Sequence, residues 1–220
     1  MNDTLTLHGY WRSSAAYRVR IALNLKGLDY TQAPVHLVRE GGDQHRPEYA
    51  QVNPQRLVPV LQHGQRMIRQ SLAIIEYLEE LWPDPPLLPP GARERAQVRA
   101  LAQLIACDIH PLNNLRVLQH LEREWNVPQP EREEWVRHWI VEGFTALETL
   151  LQEDLSRGEF CESDTPGIAD CCLIPQVYNA RRFSVDLEPY PTIRQIEAAC
   201  LALPAFDAAR PERQSDAPAT

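Results

Sequence analysis

The chain has 220 residues, 44% of them hydrophobic, and a formal net charge of -8. This composition suits one large or two small folded domains and excludes a disordered chain. The acidic balance argues against nucleic acid or an anionic membrane as main partner, and no apolar run approaches the roughly 18 residues that span a bilayer.

The first third alternates between patterns. "TLTLHGY" has the period-2 apolar spacing of a short strand. "SSAAYRVRIALNLKGL" reads as a helix with a serine N-cap, an Ala/Leu body and Gly27 at its end. "YTQAPVHLV" is a second strand, opening a βαβ unit. "LVPVLQHGQRMIRQ" is a hairpin around His63 and Gly64. "SLAIIEYLEELW" is a helix expected to be capped by Ser71, with Leu72, Ile75, Leu78 and Trp82 on its apolar stripe. Pro59 stands inside the strand-like run "LVPVL". It is either an edge-strand proline or the second residue of a cis Val58-Pro59 bond.

Five prolines between Pro83 and Pro90 rule out helix and central strand. This run is read as the domain boundary, with a first domain over residues 1–83, a linker over 84–91 and a helical domain over 92–220. Arg93 to Trp125 is one periodic stretch with a kink expected at Pro111. "PEREEWVRHWIVEGFTALETLLQEDL" is a long helix with Trp135, Trp139, Phe144 and Leu147 on a broad apolar stripe. "GIADCCLIPQVYNARRF" and "TIRQIEAACLAL" are two more helices, and the polar tail after Pro211 is expected to be loose. The five cysteines show no C-x-x-C and no disulfide framework. They predict mostly buried thiols in a reducing cytoplasm, and the N-terminus lacks the basic and apolar regions of a secretory signal. No histidine or cysteine spacing resembles a metal site, so no metal is expected.

The stretch "WRSSAAYRVR" places Ser13 and Ser14 at a helix N-terminus, flanked by Arg12 and Arg18. Free N–H groups and the helix dipole make that end an anion site. Without G-x-G-x-x-G or G-x-x-x-x-G-K-[ST], a nucleotide is not expected. A thiolate fits, because a serine hydroxyl can donate to sulfur and the dipole lowers a thiol pKa. One serine is fully explained as an N-cap; the second serine and the two arginines are not.

"WRSSAAYRVRIALNLKGL" resembles the N-terminal motif of the zeta class of glutathione transferases. "NPQRLVPVL", "QSLAIIEYLEE", "PLLPP", "ACDIHPLNNLRVLQHL" and "IADCCLIPQVYNARRFSVDLEPYPTI" continue the likeness in order. The resemblance implies an α/β thioredoxin-like N-terminal domain plus an all-α C-terminal domain, and a homodimer. It implies glutathione as cofactor, with Ser13 the thiol-activating residue and Ser14 its neighbour. It puts a cis-proline at Pro59, with Val58 backbone groups on the cysteinyl part of glutathione. Gln70 and Ser71 then hold the γ-glutamyl end, and Gln44 adds a contact.

The implied reaction is cis–trans isomerisation of maleylacetoacetate in tyrosine and homogentisate breakdown, with maleylpyruvate or α-halo acids as alternative substrates. Such a site must hold a thiolate, bind the carboxylates of a small unsaturated keto diacid, and stabilise an enolate oxygen. Arg12, Arg116 and Arg182 are the candidates for the carboxylates. Arg182 matches the carboxylate-binding arginine of the family. Arg18, His110, Asn114 and Arg116 are further candidates near glutathione. His110 and Asn114 would share a helix face if the helix resumes after Pro111. Arg20 and Arg181 are expected in surface or structural pairs. Two departures stand out: Ala15 replaces a cysteine common in relatives, and Gly167 replaces a Ser/Thr cap.

Overall fold

The computed structural model describes residues 4–154 and 157–218. They divide into two compact units. The first runs to Leu87 and takes up the chain again from Ala202; the second is Leu88–Leu201. The second boundary corrects the sequence-based division, in which everything after residue 92 was one helical domain.

In the first unit, β1 (Leu5–Gly9) alternates buried Leu5 and Leu7 with half-buried Thr6 and His8, as a strand covered more closely on one face requires. α1 (Ser14–Leu25) follows. Ser13 is its N-cap, and the side-chain oxygen accepts from the Ala16 N–H at 3.2 Å. Gly27 ends it at φ 63°, where the Leu28 N–H bonds the Leu23 carbonyl. β2 (Tyr30–Pro34) runs parallel to β1. A short helix α2 (Pro47–Val52) leads toward β3 (Val60–His63) and β4 (Arg66–Arg69), a hairpin turning at Gly64 with φ 59°. The sheet order is β2-β1-β3-β4, with β1–β3 and β3–β4 antiparallel. Val58-Pro59 is cis and lies just before β3.

α3 (Ser71–Leu81) buries Ile74, Ile75 and Leu78, so its stripe is rotated from the expected one: Leu72 and Trp82 are only half-buried. Ser71 is not the cap. Gln70 holds that position at φ 72°, without a side-chain cap bond, and Ser71 is the first helical residue.

From Ala202 the chain returns to this unit. α9 (Pro204–Ala209) packs on α1. The Arg20 Nε donates to the Ala209 carbonyl at 3.0 Å, and Asn24 donates to that of Ala205 at 2.9 Å. In the tail after Pro211, expected to be loose, Asp216 accepts from the Trp11 N–H at 2.9 Å and Gln214 accepts from the Gln32 amide at 2.8 Å. Satisfying backbone groups with buried side chains overrides the polar composition of the segment.

The second unit contains α4 (Ala92–Gln103), α5 (Leu115–Trp125), α6 (Gln129–Glu153), α7 (Ile168–Arg182) and α8 (Pro191–Leu201). The break at Pro111 is larger than a kink. A π-helical stretch, Leu104–Ile109, passes into a 3₁₀ turn, His110–Asn113, because Pro111 has no N–H to continue the ladder. α7 is buried over most of its surface and is the core helix of the unit. Gly167 caps it and has no side chain to offer. The Asp170 carboxylate alone closes the turn, accepting from the Gly167 N–H at 2.8 Å and the Cys161 N–H at 3.0 Å. Buried Glu148 of α6 accepts from the N–H groups of Thr192 and Ile193, at 2.8 and 3.0 Å, and so caps α8. Phe144 and Leu147 are buried as expected, whereas Trp135 and Trp139 are only half-buried.

Candidate active site

Strand register gathers the site. His8 of β1 pairs with Val60 of β3, and Val60 pairs with Arg69 of β4. The chain leaving β1, the chain entering β3 and the chain leaving β4 therefore meet at one end of the sheet. Those three segments carry Ser13 and Ser14, Val58 and Pro59, and Gln70 and Ser71. β2 ends there too, since Pro34 pairs with Gly9. Gln44 belongs to the segment that follows; its Nε2 donates to the Leu37 carbonyl at 3.1 Å.

Each part has a defined state. The Ser13 oxygen is engaged by Ala16, which leaves the hydroxyl hydrogen for an acceptor beyond the helix. The cap and the thiol-holding roles are thus compatible. Ser14, half-buried, opens the first turn of α1. Among the described residues, neither the N–H nor the carbonyl of Val58 bonds another backbone group, as pairing with an added extended peptide would require. The Gln70 side chain points outward and donates to the Gln55 carboxamide at 3.0 Å. Gln44 is 5% exposed, and its Oε1 has no hydrogen-bond partner among the described residues. Arg12 is half-buried with its guanidinium 5.3 Å from the Trp11 ring centre.

Arg18, expected to face the anion itself, is 2% exposed. It lies on the inner face of α1 and reaches the site through Ser71, whose oxygen accepts from Nη1 at 3.2 Å. Arg20, expected in a surface or structural role, is buried and structural. It donates to the Trp11 carbonyl at 3.0 Å and so steadies the loop before Ser13; burial lowers its pKa to about 10.

Sequence reasoning missed a support beneath Val58. The Tyr49 hydroxyl and the Asn53 amide both donate to the Leu57 carbonyl at 2.7 Å. The Asn-Pro pair in "VNPQRL" was the available signal, since asparagine before proline favours a turn.

In the helical unit the candidates are placed differently from expectation. Asn114 is extended, at φ -68° and ψ 144°, and caps α5 by accepting from the Arg116 N–H at 3.1 Å. His110 therefore shares no helix face with it. Arg116 is exposed. Arg182, in the last turn of α7, is exposed with its guanidinium 4.8 Å from the Phe183 ring centre. Arg181 forms a two-pronged pair with Glu197, as a structural arginine would.

A family model described as the glutathione S-transferase N-terminal domain matches residues 7–86. A probable maleylacetoacetate isomerase of Vibrio cholerae is 54% identical over 97% of this chain and 99% of its own length. The chain belongs to the glutathione S-transferase family, in its zeta class. The holo structure of a bacterial zeta-class maleylpyruvate isomerase superposes with TM-score 0.94, at 47% identity, covering 97% of this chain and 100% of that one. A maleylacetoacetate isomerase structure from Methylobacterium extorquens, with bound malonate and glutathione, gives TM-score 0.93 at 43% identity, covering 97% and 100%. The mixed four-stranded sheet with its helices, together with the helical unit, is the fold of this glutathione S-transferase family.

Proposed function

We propose that this glutathione S-transferase is a glutathione-dependent cis–trans isomerase acting on maleylacetoacetate. The observation that carries the reading is the meeting, at one sheet end, of the Ser13 hydroxyl, the open Val58 backbone pair and the Gln70–Ser71 helix start. The donor set fits glutathione: a hydroxyl at a helix N-terminus for sulfur, an extended backbone for the peptide, and a second helix N-terminus for a carboxylate.

Bound glutathione supplies a sulfur that, when ionised, adds reversibly to a conjugated alkene and lets it rotate as a single bond. The protein's part is electrostatic and positional. The Ser13 hydroxyl hydrogen is turned away from its helix, and the α1 N-terminus favours negative charge beside it. Ala15 leaves no protein thiol at that turn to act beside the substrate. Arginine suits the two substrate carboxylates because its fork is planar and always charged. Arg12, Arg116 and Arg182 are assigned this task by their chemistry and by the resemblance. His110 and Asn114 are assigned to glutathione on the same ground. The same reading makes the protein a cytoplasmic homodimer.

Maleylpyruvate is the second substrate reading, favoured by the likeness to the holo maleylpyruvate isomerase structure. The test is an isomerisation assay on both acids, with and without glutathione. Turnover of maleylacetoacetate that needs glutathione and exceeds that of maleylpyruvate supports the proposal. A reversed preference supports the second reading. Turnover without glutathione, or of neither acid, overturns both.

A further inference from the structure

We infer that Arg18 is a positioning residue for the γ-glutamyl end of glutathione, acting by setting the Ser71 hydroxyl as a donor. The inference rests on the glutathione reading above.

Arginine is among the residues least often buried, since its guanidinium loses strong hydration. Arg18 is nevertheless 2% exposed, on the same α1 helix that Ser13 caps. Its Nη1 lies 3.2 Å from the Ser71 oxygen in a buried contact between α1 and α3. A guanidinium only donates, so the serine oxygen must accept there. Its own hydrogen is then committed to a different acceptor. Ser71 does not spend that hydroxyl on capping, because Gln70 holds the cap position and α3 has no side-chain cap bond. The Gln70 side chain is turned to Gln55.

The result is a hydroxyl that presents hydrogen and has a fixed positive charge behind it, at a helix N-terminus whose free N–H groups also donate. Such an arrangement selects an anionic acceptor and disfavours an ammonium. The γ-glutamyl residue carries both groups, and the arrangement picks the α-carboxylate. Arg18 thereby couples the helix that presents Ser13 to the helix that holds the far end of the peptide.

The experiment measures calorimetric binding of glutathione and of γ-aminobutyryl-cysteinylglycine, which lacks only the α-carboxylate. The proteins are wild type, Arg18→Met, Arg18→Lys, Ser71→Ala and Arg18→Lys/Ser71→Ala. Arg18→Met should weaken glutathione binding roughly 10- to 100-fold, the worth of a hydrogen bond to a charged group, while the analogue binds wild type and variant alike. In kinetics KM for glutathione should rise far more than kcat falls, and Arg18→Lys should recover part of the loss. If Arg18→Met does not fold, Arg18→Lys and the double variant decide. The lysine change should weaken glutathione selectively, and should add nothing once Ser71 is alanine. Equal losses for glutathione and analogue, additive losses in the double variant, or unchanged glutathione affinity would each overturn the inference while leaving the isomerase reading intact. Wild-type protein that binds no glutathione overturns that reading and this inference with it.

Discussion

Lys26 offers the sharpest stability test. Its side chain is fully buried at the end of α1, and its ammonium meets three acceptors. They are the Glu79 carboxylate at 2.5 Å and the carbonyls of Trp82 and Pro85 at 2.7 and 2.6 Å. Glu79 in turn accepts from the Leu87 N–H at 2.9 Å. This clip ties α1 and α3 to the proline-rich segment that leaves the first unit. Lys26→Met keeps the apolar stem and removes the charge. Glu79 is then a buried carboxylate that has lost its cation, and two carbonyls lose their donor. Breaking a buried pair in this way costs about 3–5 kcal/mol. Urea unfolding followed by circular dichroism measures it. Lys26→Met/Glu79→Leu removes the stranded charge and should recover at least about 2 kcal/mol of the loss. A Lys26→Met variant within about 1 kcal/mol of wild type, or additive losses in the double variant, would refute the reasoning.

Burial raises the Asp170 pKa above the usual carboxylate value. The stability linked to its protonation is therefore full in acid below the unfolded value, and is lost as pH rises through the raised native one. As pH rises above the unfolded carboxylate value of about 4, wild type should lose more stability than Asp170→Asn; urea midpoints that run parallel would contradict this. Cys161 and Cys200 are buried with pKa values pushed up, mainly by burial, whereas Cys107 is exposed. Native protein at about pH 8 should take up one iodoacetamide, at Cys107, and peptide mapping of a second rapid site would count against the packing. Gly42 has φ 97°, and an added Cβ would lie 2.4 Å from the Gln44 Oε1. Gly42→Ala should cost about 1–2 kcal/mol and, if Gln44 contacts glutathione, raise its KM; unchanged KM despite the lost stability would remove Gln44 from the site.

What could be read from the sequence was local. Ser13 as cap, Gly27 as stop and the turn at Gly64 are each set by one residue's own chemistry, and the structure has all three. The cis arrangement at Pro59 came from family resemblance, because edge strand and cis bond look alike in one sequence. The misread features depend on distant partners. Ser71 looks like a cap from its neighbours, yet Gln70 takes the cap position at a positive φ that glutamine does not advertise. The tail after Pro211 looks loose by composition, but Gln32 bonds Gln214 and the Trp11 N–H bonds Asp216, 182 and 205 positions along the chain. Pro111 signalled a break without showing that Asn114 would restart the helix as its cap. Arg18 and Arg20 stand two residues apart in "YRVR", and nothing local says that one supports Ser71 and the other the Trp11 carbonyl.

The central claim is that the α1 N-terminus and Ser13 keep the glutathione sulfur ionised. The direct measurement is a pH titration of thiolate ultraviolet absorbance, with glutathione bound to wild type and to Ser13→Ala. The account predicts a bound-thiol pKa well below that of free glutathione in wild type, returning toward the free value in the variant. Identical titration curves for the two proteins would contradict it.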